Sequence, residues 1–111
     1  MRATSPSVQA LSAPVLHILL ALGTDSAHGY AIMRRIAERS DDRVRLLPGT
    51  LYSTLRRMVA DGLVEEIAPP RDADSEDARR RYYRVTKRGE AAARAETGRL
   101  ALLVKLGRVF L

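Results

Sequence analysis

The sequence predicts a mainly α fold carrying a small β-hairpin, an α+β arrangement within one domain. Three observations predict it. Three helical patterns come first, the third opened by Pro48-Gly49. Two short strand patterns, LVEEIA and RRRYYRV, then flank the polar stretch PPRDADSEDA. A last helical pattern runs from about Lys87 to the end of the 111 residues. That length supports a single modest core. A hydrophobic content of 46% without a long biased tract marks a folded chain.

Residues 1–10, MRATSPSVQA, are expected to be a flexible start. Ser12 is a helix cap, and Pro14 is tolerated in a first turn whose amides lack partners anyway. The run Val15 to Leu22 is apolar almost all round, which predicts burial on most sides, in the core or against a second subunit. Gly23-Thr24-Asp25-Ser26 ends it. In HGYAIMRRIAERS, Tyr30, Met33 and Ala37 keep helical spacing, as do Ile32 and Ile36. Arg34, Arg35, Glu38 and Arg39 fall on the wetter side. His28 is expected to cap this helix and Tyr30 to pack inside. Val44 and Leu46 are candidates for a very short strand.

The third helix runs from about Pro48 to Ala60, with Leu51, Leu55, Met58 and Val59 as its buried stripe. Gly49, Ser53, Arg56, Arg57 and Ala60 occupy the opposite arc. Asp61-Gly62 closes it, glycine allowing a left-handed turn. The two strand patterns and their acid-containing connection span about residues 63–85, and the acids Asp72, Asp74, Glu76 and Asp77 suggest a mobile tip. Thr86 caps the last helix, residues 87–111. About 25 residues at ~1.5 Å each span roughly 37 Å, more than the diameter expected of so small a domain. Its far end, apolar on one arc, therefore needs a cover, and a second copy of the chain is the simplest. Val15 and Leu19 of the first helix, with Leu100, Leu103, Val104, Gly107 and Phe110 of the last, are the expected dimer contacts.

The charge balance narrows the function classes. Nineteen Lys+Arg against 13 Asp+Glu give a formal net charge of +6. Such a domain attracts polyanions, nucleic acid first and anionic membrane second, with plain solubility as the bland reading. With no cysteine, disulfides and Cys-based zinc sites are excluded. Two histidines, His17 and His28, are too few for a His-dominated site. No stretch reaches the ~18 apolar residues needed to span a bilayer, and the start lacks the apolar centre of a secretory signal, so a cytoplasmic location is expected. A catalytic reading finds no G-x-S-x-G, metal-spaced histidines or P-loop to work with. No cofactor is expected.

The order helix, helix, helix, strand, wing, strand is that of a winged helix-turn-helix, residues 11–86 here, in which the third helix enters the DNA major groove. Local chemistry agrees. The amides of Gly49 and Thr50 at the positive end of that helix suit a phosphate. Gly49 has no side chain to block close approach, and Thr50 and Ser53 offer hydroxyls. Arg56 and Arg57 reach base edges or backbone, and a bidentate Arg–guanine pair discriminates by about 1–3 kcal/mol. Tyr52 fits DNA contact and packing equally. In the basic block, strand alternation puts Arg80, Tyr82 and Arg84 on one side and Arg81, Tyr83 and Val85 on the other. Arg79 and Arg80, nearest the wing tip, are the best wing contacts, with Arg71 from the other arm. The tip acids argue against the whole loop lying on phosphate, and pairing with these arginines in the absence of DNA is the alternative.

The blocks HGYAIMRRI, PGTLYSTLRRMVADGLVEE and RRRYYRVTKRG, in that order, resemble the PadR family of bacterial transcriptional repressors over about residues 11–111. Ser53 stands where that family often has proline, and Val85 where it usually has leucine. The resemblance implies a homodimeric winged-helix repressor on double-stranded DNA, released by a small molecule or stress signal at the dimer interface. The chain resembles the shorter members with a single long C-terminal dimerisation helix. With no tryptophan, the ligand stacking of drug-binding members does not carry over. The competing reading is a winged helix that binds protein, its basic surface merely solvated.

Overall fold

The computed structural model describes residues 10–111. The expectation of a flexible start therefore lies almost wholly outside the described residues. The elements are α1 (Ala13–Leu22), β1 (Ala27–His28), α2 (Gly29–Arg39), α3 (Pro48–Ala60), β2 (Val64–Ile67), β3 (Tyr82–Val85) and α4 (Lys87–Gly107). Single 3-10 turns lie at Asp77–Arg79 and Arg108–Phe110. The mainly helical winged helix-turn-helix is thus the observed architecture.

Helix α1 begins where expected: the Ser12 hydroxyl accepts the Val15 amide, with Pro14 in the first turn. Its other end is closed from outside. The guanidiniums of Arg35 and Arg39 on α2 donate to the carbonyls of Ala21 and Leu20, at 3.0 and 3.1 Å. They satisfy acceptors that a helix end leaves open. Two arginines of a basic helix are thereby structural.

Ile18, Leu19, Ala21 and Leu22 of α1 meet Ile32 and Ile36 of α2, Leu51, Leu55 and Met58 of α3, Val64 of β2 and Tyr83 of β3 in one core. Leu19 is buried there, so it is corrected from dimer contact to core residue. The outward position is its neighbour Leu20, which is half exposed. Val15 packs against the rim of the core. Val59 also departs from expectation, being 41% exposed. At ~100° per residue it stands about 80° round the helix from Leu51, beyond the arc that Leu55 and Met58 share.

The sheet has three strands in the order β1-β3-β2, all antiparallel, instead of an isolated hairpin. Ala27 pairs with Tyr83 and His28 with Tyr82. This covers the edge of β3 that faces away from β2. A two-residue strand is too short for period-2 alternation to reveal. The strand expected around Val44 and Leu46 is not formed. Ser40 takes its place, its hydroxyl oxygen accepting the Val44 amide at 3.0 Å, while Asp41 and Asp42 turn the chain with positive φ. Val44 and Leu46 still pack against the core.

Thr86 fastens the last helix to the rest. Its hydroxyl donates to the Gly62 carbonyl and its oxygen accepts the Gly89 amide. A Cβ on Gly89 would run into the Leu63 carbonyl, so only glycine lets α4 start this close to the sheet. The 21 residues of α4 make about 31 Å. Along its length Gly89 and Glu96 are buried, and Glu96 is held by two hydrogen bonds from Arg99 at 2.7 and 2.8 Å. Beyond Leu100 the helix leaves the core.

Candidate nucleic-acid interface

Helix α3 starts at Pro48 with Leu47 as its cap residue, and no side chain caps it. Proline contributes no N–H, and the amides of Gly49 and Thr50 belong to the first turn, which has no intrahelical acceptors for them. A Cβ at Gly49 would meet nothing within 4 Å, so the approach is open. Thr50, Ser53, Arg56 and Arg57 are all exposed on the outward arc. Ser53 is partly committed, donating its hydroxyl to the Thr50 carbonyl at 3.2 Å. Arg56 and Arg57 have no ion-pair partner among the described residues. The helix therefore presents a positive end and two uncompensated guanidiniums to solvent.

The wing arginines are in a different state. Arg84 pairs with Glu65 across the strands at 2.9 Å, and Arg81 lies 3.9 Å from Glu66. Arg80 lies 3.2 Å from both Glu76 and Asp77. Arg71 and Arg79 are exposed and have no such partner among the described residues. Strand β3 begins only at Tyr82, so the face alternation does not reach back to Arg80. Arg80 and Arg81 instead line the same cleft.

That cleft, of about 450 Å³, lies between α3, the start of α2 and the start of β3, and His28, Gly29, Tyr52, Arg56, Arg80, Arg81 and Tyr83 line it. Tyr52 combines both readings given to it, its ring resting on Gly29 while the residue is 39% exposed at the cleft wall. His28 caps α2 as expected, Nδ1 accepting the Ala31 amide at 3.1 Å. Its Nε2 then carries the proton and faces Asp77 at 3.8 Å. Burial, and after it the charge of Arg80, hold the imidazole below its ordinary value, against an upward pull from Asp77. The imidazole ring also meets Tyr82 edge-on, with centroids 5.4 Å apart, and Tyr83 is buried in the core on the other face of β3.

Tyr30 is the plain correction at this site. It does not pack inside but is half exposed, with the guanidinium carbons of Arg34 and Arg80 each 5.6 Å from its ring centroid. Ring faces attract guanidiniums at such distances. The Tyr30–Arg34 spacing of i, i+4 was the signal that places the pair on one outer face. The contact with Arg80 had no local signal, because it crosses from helix to wing.

The exposed apolar end of α4 is the second candidate surface. Leu103, Val104 and Phe110 are exposed there as expected, and Leu100 and Gly107 are half-buried. Leu102, Leu106 and Val109, which the helical wheel did not single out, are exposed as well. None of the helices in the described residues is long and apolar enough to cross a membrane.

Comparison with known proteins places this geometry. The family model described as the transcriptional regulator PadR-like family matches residues 16–95. Transcriptional regulator Rv3488 of Mycobacterium tuberculosis is 38% identical over 77 residues, 69% of this chain and 65% of that protein. The match therefore spans slightly less than two thirds of that curated relative. Among solved structures, a transcriptional regulator from Clostridium thermocellum shares the fold, with a TM-score of 0.73, 23% identity and coverage of 92% of this chain and 99% of that one. A PadR family transcriptional regulator from Eggerthella lenta gives a TM-score of 0.68 at 26% identity, covering 86% and 80% of the two chains. The four helices, the winged sheet and the matched span agree: this chain belongs to the PadR-like family of transcriptional regulators.

Proposed function

We propose that this protein is a cytoplasmic, sequence-specific DNA-binding repressor that holds an inverted-repeat operator as a homodimer. The observation that carries the reading is the open start of α3, with Arg56 and Arg57 on the same arc and without an ion-pair partner among the described residues. A net charge of +6 supports a polyanionic partner. In this reading the Gly49 and Thr50 amides meet a backbone phosphate, while Arg56 and Arg57 read base edges or flanking phosphates. Arg71 and Arg79 of the wing add backbone or minor-groove contacts.

The apolar end of α4 supports the dimer. Leu102, Leu103, Leu106 and Phe110 are a row that solvent penalises and a second copy covers. Two α3 helices then enter major grooves about 34 Å apart, and occupation of a promoter represses it. A small molecule or stress signal that changes the helix spacing across the interface would spoil the groove-to-groove match and release the DNA. The deciding experiment is a mobility shift on the segment upstream of the neighbouring gene, with Arg56→Gln/Arg57→Gln as the variant. Loss of binding with unchanged dimer mass supports the reading. Retention of binding by the double variant, or indifference of the wild type to every duplex at low salt, rejects it.

A further inference from the structure

We infer that Glu76 and Asp77 are intramolecular competitors for Arg80, occupying the place that a DNA backbone phosphate takes on binding. The inference rests on the DNA-binding reading above and concerns how strongly the wing contributes to it.

Arg80 lines the cleft beside Arg56 and Arg81, where a strand running from α3 toward the wing would pass. Its side chain is only 32% exposed, with its guanidinium backed by the Tyr30 ring. Tyr30 fixes the cation from one side, and two carboxylates hold it from the other: Glu76 at Nη2 and Asp77 at Nε, each at 3.2 Å. The hold is incomplete. The Asp77 contact is misdirected, and buried Nε has no hydrogen-bond partner among the described residues. A tetrahedral phosphate presents oxygens that satisfy adjacent guanidinium N–H groups together, and such charge-assisted forks are the strong form of the contact.

The carboxylates are also easy to displace. Glu76 is 81% exposed, and an exposed ion pair is worth about 0–1 kcal/mol. Asp77 has a second partner available in the Nε2–H of His28 at 3.8 Å, so release from Arg80 does not strand it. The wing connection, residues 69–80, carries four acids against three arginines, a net −1 in a chain of +6. A tip of that sign is unsuited to lie on phosphate itself. Its acids instead mask one cation of the cleft until DNA displaces them, and Arg80 changes partner without leaving Tyr30.

The test is a double-mutant cycle read by fluorescence anisotropy on a duplex of about 30 base pairs of arbitrary sequence at about 50 mM salt, because phosphate contacts are sequence-independent. Four proteins are compared: wild type, Glu76→Gln/Asp77→Asn, Arg80→Gln, and the triple variant. Neutralising the acids should tighten binding about three- to tenfold when Arg80 is present and less than about twofold when it is Gln. Arg80→Gln alone should weaken binding about two- to fivefold, because the phosphate contact it removes is stronger than the carboxylate pairs it frees. Equal gains in both backgrounds would mean simple long-range repulsion and overturn the competition. Glu76→Gln alone, at a side chain that bonds only Arg80 among the described residues, serves as the same test if the double variant folds poorly. An additive cycle in a protein that still loses binding with Arg56→Gln/Arg57→Gln rejects this inference and leaves the DNA-binding reading standing. Binding insensitive to that pair of substitutions removes both.

Discussion

The ring of Tyr52 lies against Gly29 so closely that a Cβ at Gly29 would stand 2.6 Å from it. One contact thereby sets the spacing between the start of α2 and the outer face of α3, and with it the floor of the cleft. Gly29→Ala must push the ring aside. Because the obstacle is the far end of a 39% exposed side chain, the stability cost should stay near about 1 kcal/mol, at the low end for overpacking. The DNA affinity should fall more than stability does, since the displaced phenol enters the cleft. Thermal unfolding and anisotropy on one preparation check this; unchanged affinity with a large loss of stability would contradict it.

Gly89 is the opposite case. Its obstacle is the Leu63 carbonyl, a backbone atom held in the turn that Thr86 also clasps. Gly89→Ala should therefore cost about 2–3 kcal/mol, because α4 itself must back away from the sheet. Leu55→Ala, at a fully buried core position, should cost about 2–5 kcal/mol by leaving a cavity. Denaturant midpoints at constant m-value measure both.

Salt offers a check on the interface that needs no operator sequence. If about six phosphates are contacted, affinity should drop roughly a thousandfold between about 50 and 200 mM salt. Removal of a phosphate-contacting arginine should lessen the logarithmic slope by about 0.9. A flat salt response would contradict the interface.

His28 predicts a pH dependence of stability. Its imidazole must be neutral to accept the Ala31 amide at Nδ1, and burial, followed by Arg80, depresses its pKa from the ordinary 6.5. A depressed pKa means that the unfolded chain binds the proton more readily. Stability from this group is thus fully present above about pH 6.5 and is lost as pH falls through the lower folded value. The melting temperature should decline on acidification from about pH 7.5 to 5.5, and His28→Gln should flatten that decline. An equal decline in the variant would assign the effect elsewhere.

The end of α4 predicts an association state. Leu106→Glu places a charge in the middle of the exposed apolar row and should convert a dimer to monomers in sedimentation. The helical content should hardly change, since residue 106 touches none of the core.

Most of the fold was legible because its signals are local. Ser12, His28 and Thr86 cap the helices expected of them, Leu51, Leu55 and Met58 are the buried stripe of α3, and the wing strands lie where alternation and polar residues put them. The outward arc of α3 was legible for the same reason, since helical periodicity alone says which side chains leave the core. Two misreadings came where distant segments meet. Leu19 went to the core because α2 and α3 close over that side of α1. Tyr30 lies outside between Arg34 of its own helix and Arg80, which arrives from the wing.

Sequence alone thus determined the order of the helices, the buried stripe of α3, the net charge of +6 and the family blocks. These depend on periods of two and 3.6 residues and on side-chain chemistry that acts within one turn. Tertiary structure decided which cations are free: Arg35 and Arg39 are used on the carbonyls of α1, Arg84 is paired with Glu65 across the strands, and Arg56 and Arg57 have no ion-pair partner among the described residues. The reason is that an ion pair or a capped carbonyl needs two groups within about 3–4 Å. Only the packing of helices against a three-stranded sheet brings residues so far apart in the chain to that distance.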